Sequence, residues 1–286
     1  MFEDLIENQL NFANKKFAAI IGENPSSGAR SPKLWNAVFK ELNLDVSMLP
    51  IDVVKKNITK LIEALEDDER FIGGAVAVPY KETIAEYLGG NVSDEAKKIG
   101  AVNCLYRNEI GKLCGTNTDG EASITSLKKQ FNNRKAKVLI LGAGGAGKAV
   151  SAYFFSYFEN LTIASRSLNG KNYAERIGAK WILFKEIDNY LSDFDIVVNT
   201  TSLGYDLQKD LSPLDKKQIL SLRKNCFIFD IIYQPHKTKL LRLAEERGLK
   251  ILNGLEMNLE QAVIAFNHTV NSNLNSSTIK QIMSKA

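Results

Sequence analysis

Short runs of β-branched and other apolar residues alternate with amphipathic stretches along most of the chain. This alternation is typical of parallel sheets flanked by helices. The first third predicts strands at residues 17–22, 46–51, 74–78 and 101–107. Helical periodicity covers residues 32–42, 54–65 and 121–131. The N-terminal part of the chain is therefore predicted to form an α/β domain.

A second alternation begins after the basic, asparagine-rich stretch 132–137, which we interpret as a domain boundary. Its predicted strands are residues 137–141, 161–164, 181–184, 195–200 and 226–231, and a helix is predicted at 145–158. Beyond Gly254, apolar residues recur at helical spacing and would form one face: Leu255, Leu259, Val263, Phe266 and Val270. The predicted fold class is α/β, with two α/β domains and C-terminal helices that return to the first.

Length and composition fit this division and exclude several classes of function. The chain has 286 residues, 44% of them hydrophobic, which is enough for two modest cores. With 37 basic and 33 acidic residues and no long basic run, we expect no nucleic-acid partner. No apolar run reaches the roughly 20 residues of a membrane span. The N-terminus lacks a secretory pattern.

The three cysteines bear on compartment and on metal binding. Cys104, Cys114 and Cys226 are odd in number and lack metal-type spacing. We expect them to be free thiols that pack in the core of a cytoplasmic protein.

The strongest local motif is a GxGxxG pattern at Gly142, Gly144 and Gly147, with Gly145 inside it. It lies between a predicted apolar strand and an alanine-rich helix, which is the context that dinucleotide binding requires. There the first glycine permits a tight turn and the second a close approach to the pyrophosphate. The third permits tight packing of the helix on the strand. We therefore predict a Rossmann-type nucleotide domain.

The end of the next strand indicates which dinucleotide binds. An NAD site usually places an acidic residue there, about 20 residues on. This chain has Ser165, Arg166 and Ser167 instead. Arg166 can pair with a 2′-phosphate and stack on adenine, although it could also be a solvated loop residue. We predict NADP as the cofactor.

Two polar loops supply the candidates for proton transfer. We expect no metal, because the chain has only two histidines and unpatterned cysteines. His236 and His268 are far from these loops in sequence and are poor candidates for a general base. Lys81 follows a predicted strand and Asp119 enters a predicted helix. A lysine beside an aspartate can move a hydroxyl proton, but taken alone, such residues are more often a surface lysine and a helix cap.

The motifs, taken in order from about residue 18 to 265, resemble those of the shikimate dehydrogenase family. Val78–Glu82 is similar to its VPFKE segment, 100–103 matches GAVN, and 117–120 is identical to NTDG. Residues 165–167 resemble NRT, and 199–202 resemble NATS. The resemblance implies Lys81 and Asp119 as catalytic residues. It implies these substrate-binding residues: Ser31, Asn103, Tyr233 and Gln261. It implies that NADP contacts the glycine loop, Ser165–Ser167, and Thr200, Thr201 and Ser202.

The resemblance also implies domain roles: residues 1–120 would bind substrate, 121–254 would bind NADP, and 255–286 would pack back on the substrate domain. The partner would be a small ring hydroxy acid, and the chain would be a monomer or homodimer. Three positions depart from the family pattern: Ala29 replaces a serine, Ala75 an asparagine and Ala77 a threonine. Each lost hydrogen bond would cost about 1–3 kcal/mol.

Three functions stay open at this point. The first is NADP-dependent interconversion of 3-dehydroshikimate and shikimate. The second is an enzyme of the same type for quinate, an aminoshikimate or another altered ring acid. The third is a sensor that binds nucleotide and ligand on the same fold without turnover.

Overall fold

The computed structural model describes residues 2–270, 272 and 274–286. It divides into two compact units. Unit 1 consists of Met1–Thr118 and Leu259–Ala286, and unit 2 of Asp119–Asn258. Unit 1 is thus built from two separate pieces of the chain.

Unit 1 contains a five-stranded sheet with strand order β2-β1-β3-β4-β5. Its strands are β1 (Lys16–Gly22), β2 (Val46–Asp52), β3 (Phe71–Val76), β4 (Cys104–Arg107) and β5 (Leu113–Thr116). Its helices are α1 (Ser31–Glu41), α2 (Ile58–Asp67), α3 (Lys81–Leu88) and α4 (Asp94–Ile99), with α11 (Ser276–Lys285) and most of α10 (Leu255–Thr269) added from the C-terminal piece.

The prediction of a parallel sheet is wrong for part of unit 1. β1, β2 and β3 are parallel, but β4 runs antiparallel to β3, and β5 runs antiparallel to β4. The five residues between β4 and β5 include Gly111 at φ 79°, and a turn this short can join only antiparallel neighbours. The predicted strand 101–107 is correspondingly shorter, and the predicted helix 54–65 begins with a 3₁₀ turn before α2.

The sheet of unit 1 is covered on both faces. On one face, α2 and α3 pack against buried residues of the sheet such as Phe17, Phe71 and Leu105. On the other, α1 packs with α10 and α11, and the rings of Trp35 and Phe266 lie 5.2 Å apart. The prediction that the C-terminal helices return to the first domain is confirmed.

Unit 2 contains a six-stranded, fully parallel sheet with strand order β11-β10-β9-β6-β7-β8. This is the order of the Rossmann fold, so the predicted fold class is confirmed. The strands are β6 (Lys137–Leu141), β7 (Asn160–Ser165), β8 (Lys180–Leu183), β9 (Ile196–Asn199), β10 (Phe227–Asp230) and β11 (Lys250–Leu252). The helices are α5 (Asp119–Lys128), α6 (Gly145–Tyr157), α7 (Leu168–Ile177), α8 (Lys216–Ser221) and α9 (Lys239–Glu246).

All three cysteines are free and buried, as expected for core residues. Burial raises the pKa of both the Cys104 and the Cys226 thiol to about 12. Across the described residues, no helix combines the length and apolar character that crossing a membrane requires.

Candidate active site

The glycine loop of unit 2 lies where the strand order reverses, between β6 and β9. In parallel sheets, ligands bind at the carboxyl ends of the strands at this point. Gly142 follows β6 with φ 107°, a conformation that side chains rarely adopt. A Cβ on Gly147 would lie 2.7 Å from the Gly142 carbonyl oxygen, so helix α6 can approach the strand this closely only with glycine there.

Gly144 and the start of α6 have the features of a phosphate site. No atom of the described residues would lie within 4 Å of a Cβ on Gly144, and that residue is exposed. Gly144 is also the N-cap of α6, and among the described residues no side chain caps this helix. The first N–H groups of α6 therefore remain available to an anion. Gly145 is the first residue of the helix.

Thr200 and Thr201 follow β9, the strand next to β6, and lie beside the glycine loop. The Thr200 hydroxyl donates hydrogen bonds to the carbonyl oxygens of Leu141 (2.8 Å) and Gly142 (3.3 Å). The Thr201 hydroxyl donates to Asn199 Oδ1 at 2.7 Å. Ser202 is exposed and donates to Gln208. Both threonine hydroxyls thus form hydrogen bonds within the protein. The Thr200–Ser202 loop can offer a cofactor mainly its backbone and the side chain of Ser202.

The segment after β7 divides into a buried and an exposed part. Ser165 is buried; its hydroxyl accepts a hydrogen bond from Trp181 Nε1 (2.9 Å) and donates to the Ser167 carbonyl oxygen (3.2 Å). Arg166 and Ser167 are exposed, and Ser167 is the N-cap of α7. Ser165 therefore shapes this turn, while Arg166 and Ser167 can reach a ligand.

In unit 1, the sequence motifs meet at one edge of the sheet. β1, β3 and β5 run in the same direction, so the loops that follow them leave the sheet at the same edge. β4 runs the opposite way and begins at that edge, directly after Asn103. Ser31, Lys81, Asn103 and Thr118 all lie in these loops or at the helix starts that follow them.

Lys81 is the first residue of α3, and its surroundings fix the backbone there. Its carbonyl oxygen accepts a hydrogen bond from the Val102 amide at 2.9 Å. The preceding residue, Tyr80, is 1% exposed and donates from its hydroxyl to the Val53 carbonyl oxygen at 2.7 Å. Lys81 itself is half-buried.

Asn103 holds the segment that leads to Asp119. Its Oδ1 accepts from the Thr118 amide (2.7 Å), and its Nδ2 donates to the Thr118 hydroxyl (3.0 Å). That hydroxyl also donates to the Gln261 carbonyl oxygen on α10 (3.3 Å). Asn117 Nδ2 donates to the Ala101 carbonyl oxygen (3.0 Å). The GAVN and NTDG motifs are therefore joined by hydrogen bonds within unit 1.

Asp119 is the first residue of α5 in unit 2 and is 6% exposed. The next residue, Gly120, packs so tightly against α6 that a Cβ there would lie 2.2 Å from Tyr153 Cδ2 and 2.6 Å from the Ala149 carbonyl oxygen. The start of α5, and with it Asp119, is thus held close to the backbone of α6.

The loop that leads to Ser31 is held by Asp52 at the end of β2. Asp52 accepts hydrogen bonds from the Ser26 amide (2.9 Å) and from the Ser26 hydroxyl. Ser31 itself is 5% exposed and begins α1. This arrangement was not apparent from the sequence, although a buried acid at the carboxyl end of a parallel strand is a recognisable signal.

The three alanines that depart from the family pattern share one apolar environment. Ala75 is 6% exposed and belongs to the cluster formed with α1 and α10, and the half-buried Ala29 and Ala77 pack against the same cluster. Buried neighbours in this cluster include Ile20 and Val263. These positions have methyl groups where the family motifs have hydroxyl and amide groups.

Tyr233 lies beside a buried polar network that the sequence reasoning missed. It is half-buried and is the third residue after β10. Asp230, Asn199 and Thr238 are each 0% exposed. Burial raises the pKa of Asp230 to about 6, against the lowering effect of three hydrogen bonds to its carboxylate. A polar residue that ends an otherwise apolar parallel strand is the signal that both Asn199 and Asp230 show.

The two histidines lie on the surface. His236 is exposed, and His268, also exposed, has its ring 5.7 Å from that of Tyr106. Among the described residues, no three His, Cys, Asp or Glu side chains are grouped so that they could hold a metal ion.

Two family models match most of both units. The shikimate dehydrogenase substrate binding domain matches residues 20–105, and the shikimate / quinate 5-dehydrogenase family matches residues 125–233. The first match runs from the end of β1 to the start of β4, and the second contains the glycine loop, Arg166 and strands β6 to β10.

Named relatives and solved structures agree with these matches. A shikimate dehydrogenase (NADP(+)) of Alkaliphilus oremlandii is 36% identical over 263 residues, 88% of this chain and 90% of the relative. One from Pyrococcus furiosus is 34% identical over 253 residues, 88% and 89% of the two chains. The crystal structure of shikimate dehydrogenase from Aquifex aeolicus has a TM-score of 0.82 at 28% identity, covering 97% of this chain and all (100%) of that one.

The shikimate 5-dehydrogenase of Thermus thermophilus, solved with NADP(H) and shikimate, has a TM-score of 0.80 at 27% identity and covers 94% of this chain and 99% of that one. The motifs found in the sequence, the Rossmann strand order and these matches lead to one conclusion. The chain belongs to the shikimate dehydrogenase family.

Proposed function

We propose that this protein is an NADP-dependent oxidoreductase that interconverts 3-dehydroshikimate and shikimate. The observation that carries the proposal is the placement of the family motifs. Ser31, Lys81 and Asn103 lie at one edge of the sheet of unit 1. The glycine loop and the Thr200–Ser202 loop lie at the switch point of unit 2. Relatives similar over most of the chain are named for this activity.

The residues of unit 2 fit NADP. The uncapped start of α6 and the open space at Gly144 suit a pyrophosphate. Arg166 and Ser167 are exposed and would hold the 2′-phosphate. The loop at Thr200–Ser202 would flank the nicotinamide half. When bound, the reduced cofactor supplies the hydride that the carbonyl carbon of the ring gains.

Lys81 and Asp119 would handle the proton. On reduction the ring oxygen gains a proton as the carbon gains hydride, and Lys81 would donate that proton as a general acid. On oxidation the same group would take the hydroxyl proton back. Asp119 would be the second catalytic residue and would assist this proton transfer.

Ser31, Asn103, Tyr233 and Gln261 would bind the ring acid. The Asn103 amide already bonds Thr118, so its contribution would include fixing that segment as well as touching substrate. In terms of domain roles, residues 1–120 and 255–286 would bind the ring acid, and 121–254 would bind NADP.

The proposal extends to the setting of the enzyme. We expect a monomer or homodimer in the cytoplasm that acts on a small-molecule acid and binds no nucleic acid. The near-balanced charge and the three free, buried thiols support this expectation.

The test is a matrix of initial rates with the purified full chain. Shikimate and quinate are each paired with NADP⁺ and with NAD⁺, and formation of the reduced cofactor is followed by absorbance. The proposal expects the highest kcat/KM for shikimate with NADP⁺. No turnover in any arm, despite measurable NADPH binding, would instead support a sensor without catalysis.

A further inference from the structure

The carboxylate of Asp230 lies at the centre of a buried network that joins two loops of unit 2. Asp230 ends β10, and its register partner on the neighbouring strand is Asn199, which ends β9. Asn199 Nδ2 donates to Asp230 Oδ1 at 3.0 Å, and the Ile232 amide donates to the same oxygen at 3.1 Å. The Thr238 hydroxyl donates to the other oxygen, Oδ2, at 2.7 Å. Each oxygen of this wholly buried group therefore has partners.

The bond to Asp230 fixes which way the Asn199 amide points. With Nδ2 turned toward the carboxylate, Oδ1 faces the loop that follows Asn199 and accepts from both the amide (3.0 Å) and the hydroxyl (2.7 Å) of Thr201. Nδ2 also donates to the Leu203 carbonyl oxygen at 3.2 Å. If the amide flipped, it would place a donor against two donors. The conformation of residues 200–203 thus depends on an acceptor at position 230.

The network continues to the glycine loop on one side and to Tyr233 on the other. Thr200, between Asn199 and Thr201, bonds the carbonyl oxygens of Leu141 and Gly142. On the other side, Ile232 directly precedes Tyr233. The ends of β6, β9 and β10 are therefore tied together through side chains, and those of Asn199, Asp230 and Thr238 are wholly buried.

We propose that Asp230 is a positioning residue that holds the Thr200–Ser202 loop and the Tyr233 segment in the arrangement needed to bind cofactor and ring acid. The assignment of those loops rests on the proposed function, but the coupling between them does not. What matters is the acceptor Oδ1 of residue 230. The charge itself is secondary, because every partner of the carboxylate in the network is neutral.

Four variants separate positioning from general stabilisation. Asp230→Leu removes the acceptor, and Asn199→Ala removes the amide without touching Asp230. Asp230→Asn keeps Oδ1, and its new amide group can donate to the rotatable Thr238 hydroxyl. Thr238→Val is the matched control. It deletes a buried bond to the same carboxylate and the N-cap of α9, but leaves the bonds of Asp230 to Asn199 and Ile232.

The primary test is amide hydrogen exchange of the full chain, measured by mass spectrometry without added ligand. In Asp230→Leu and Asn199→Ala, we expect amide exchange at residues 200–204 to quicken about tenfold or more, because each substitution leaves buried polar groups of this network without a partner. Asp230→Leu should also quicken exchange at 231–233. Thr238→Val should quicken exchange only at the start of α9. The exchange rates of Asp230→Asn should stay within about twofold of those of wild type. The same exchange map for Asp230→Leu and Thr238→Val would overturn the proposal.

A binding measurement then links the network to the site. NADPH is titrated against each variant, and kcat and KM are measured at a temperature well below every Tm. We expect Asp230→Leu to raise the NADPH Kd about tenfold or more and to raise the shikimate KM. Asp230→Asn and Thr238→Val should keep near-normal values. A folded Asp230→Leu protein with wild-type Kd and KM would refute the proposal. If Asp230→Leu does not fold, Asn199→Ala decides on the same criteria.

The two proposals fail in different ways. A wild type that binds NADPH but turns over neither shikimate nor quinate contradicts the proposed function. The exchange maps still decide whether Asp230 couples the two loops.

Discussion

The Tyr80 hydroxyl donates a 2.7 Å hydrogen bond to the Val53 carbonyl oxygen, which ties the residue before Lys81 to the end of β2. The ring is 1% exposed and lies in the apolar cluster under α2 and α3. The family motif has phenylalanine at this position, so the bond is an addition in this chain. It gives the start of α3 an anchor that apolar packing alone does not supply.

Tyr80→Phe should therefore lower stability without changing cofactor binding. The variant leaves a buried carbonyl without this partner, which costs about 1–2 kcal/mol. Urea unfolding measures the loss, and NADPH titration should show an unchanged Kd. Because the anchor adjoins Lys81, kcat should fall by no more than a few-fold. An unfolding free energy equal to that of wild type would mean that water or another group donates a hydrogen bond to the Val53 carbonyl oxygen in the variant.

Lys81→Ala should abolish most turnover while the protein stays folded. A general acid typically contributes about 10²–10⁴-fold, so kcat should fall within that range, and the NADPH Kd should stay near that of wild type. The exposed Lys40 on α1 provides the control, since Lys40→Ala should leave kcat unchanged. A near-normal kcat in Lys81→Ala would show that Lys81 is an ordinary surface lysine.

Arg166→Ala should weaken the binding of NADP⁺ far more than the binding of NAD⁺. The exposed guanidinium lies where NAD sites place a carboxylate, and only NADP⁺ carries the 2′-phosphate that it would pair with. The measurement is the KM for each cofactor in the variant and in wild type, and we expect a large rise for NADP⁺ only. Arg176→Ala, at the other end of α7, should change neither value. Equal effects of Arg166→Ala on the two cofactors would contradict the assignment.

Restoring the family residues at Ala29, Ala75 and Ala77 should lower the shikimate KM. Each hydrogen bond regained in the triple variant Ala29→Ser, Ala75→Asn, Ala77→Thr contributes about 1 kcal/mol. The gain would approach a hundredfold if the effects add, which neighbouring positions often do not. Wild type should then have a high shikimate KM. A wild-type KM within the usual enzyme range of about 1 μM–1 mM, together with no gain in the variant, would show that other groups already bind the hydroxyls.

The sequence predicted those parts of the molecule that have strong periodicity or a complete motif. The glycine loop between β6 and α6 lies where the pattern placed it. The apolar stripe of α10 proved to be buried from Leu259 to Phe266. Both patterns extend over many residues, so the local sequence determines these elements and the tertiary context does not change them.

The missed elements are short or polar. α3 has eight residues and buries only Ile84 and Leu88, too few to show a helical period. β5 has four residues, two of them Cys114 and Gly115, and could be recognised only from its pairing with β4. Strand partners depend on the whole topology and are not encoded in a local window.

The same reason explains why the Asn199–Asp230 pair was not foreseen. The two residues are 31 positions apart and become neighbours only because β9 and β10 are adjacent and in register. For Ser165 the expected contact with the cofactor stays a prediction, and the structure adds that its hydroxyl accepts a hydrogen bond from Trp181. Within this loop burial decides which side chains face outward, since Ser165 is buried whereas Arg166 and Ser167 are exposed.

The construction of unit 1 from two pieces of chain has a consequence during synthesis. Its first piece leaves the ribosome early, yet the face of α1 that carries Trp35 and Phe39 is completed only by Phe266, Ile279 and Met283. At roughly 5–20 residues per second, the intervening chain delays those partners by on the order of ten seconds. Unit 2 is contiguous and can begin to fold within this interval. Nascent chains should therefore expose an aromatic surface that chaperones can bind until translation ends.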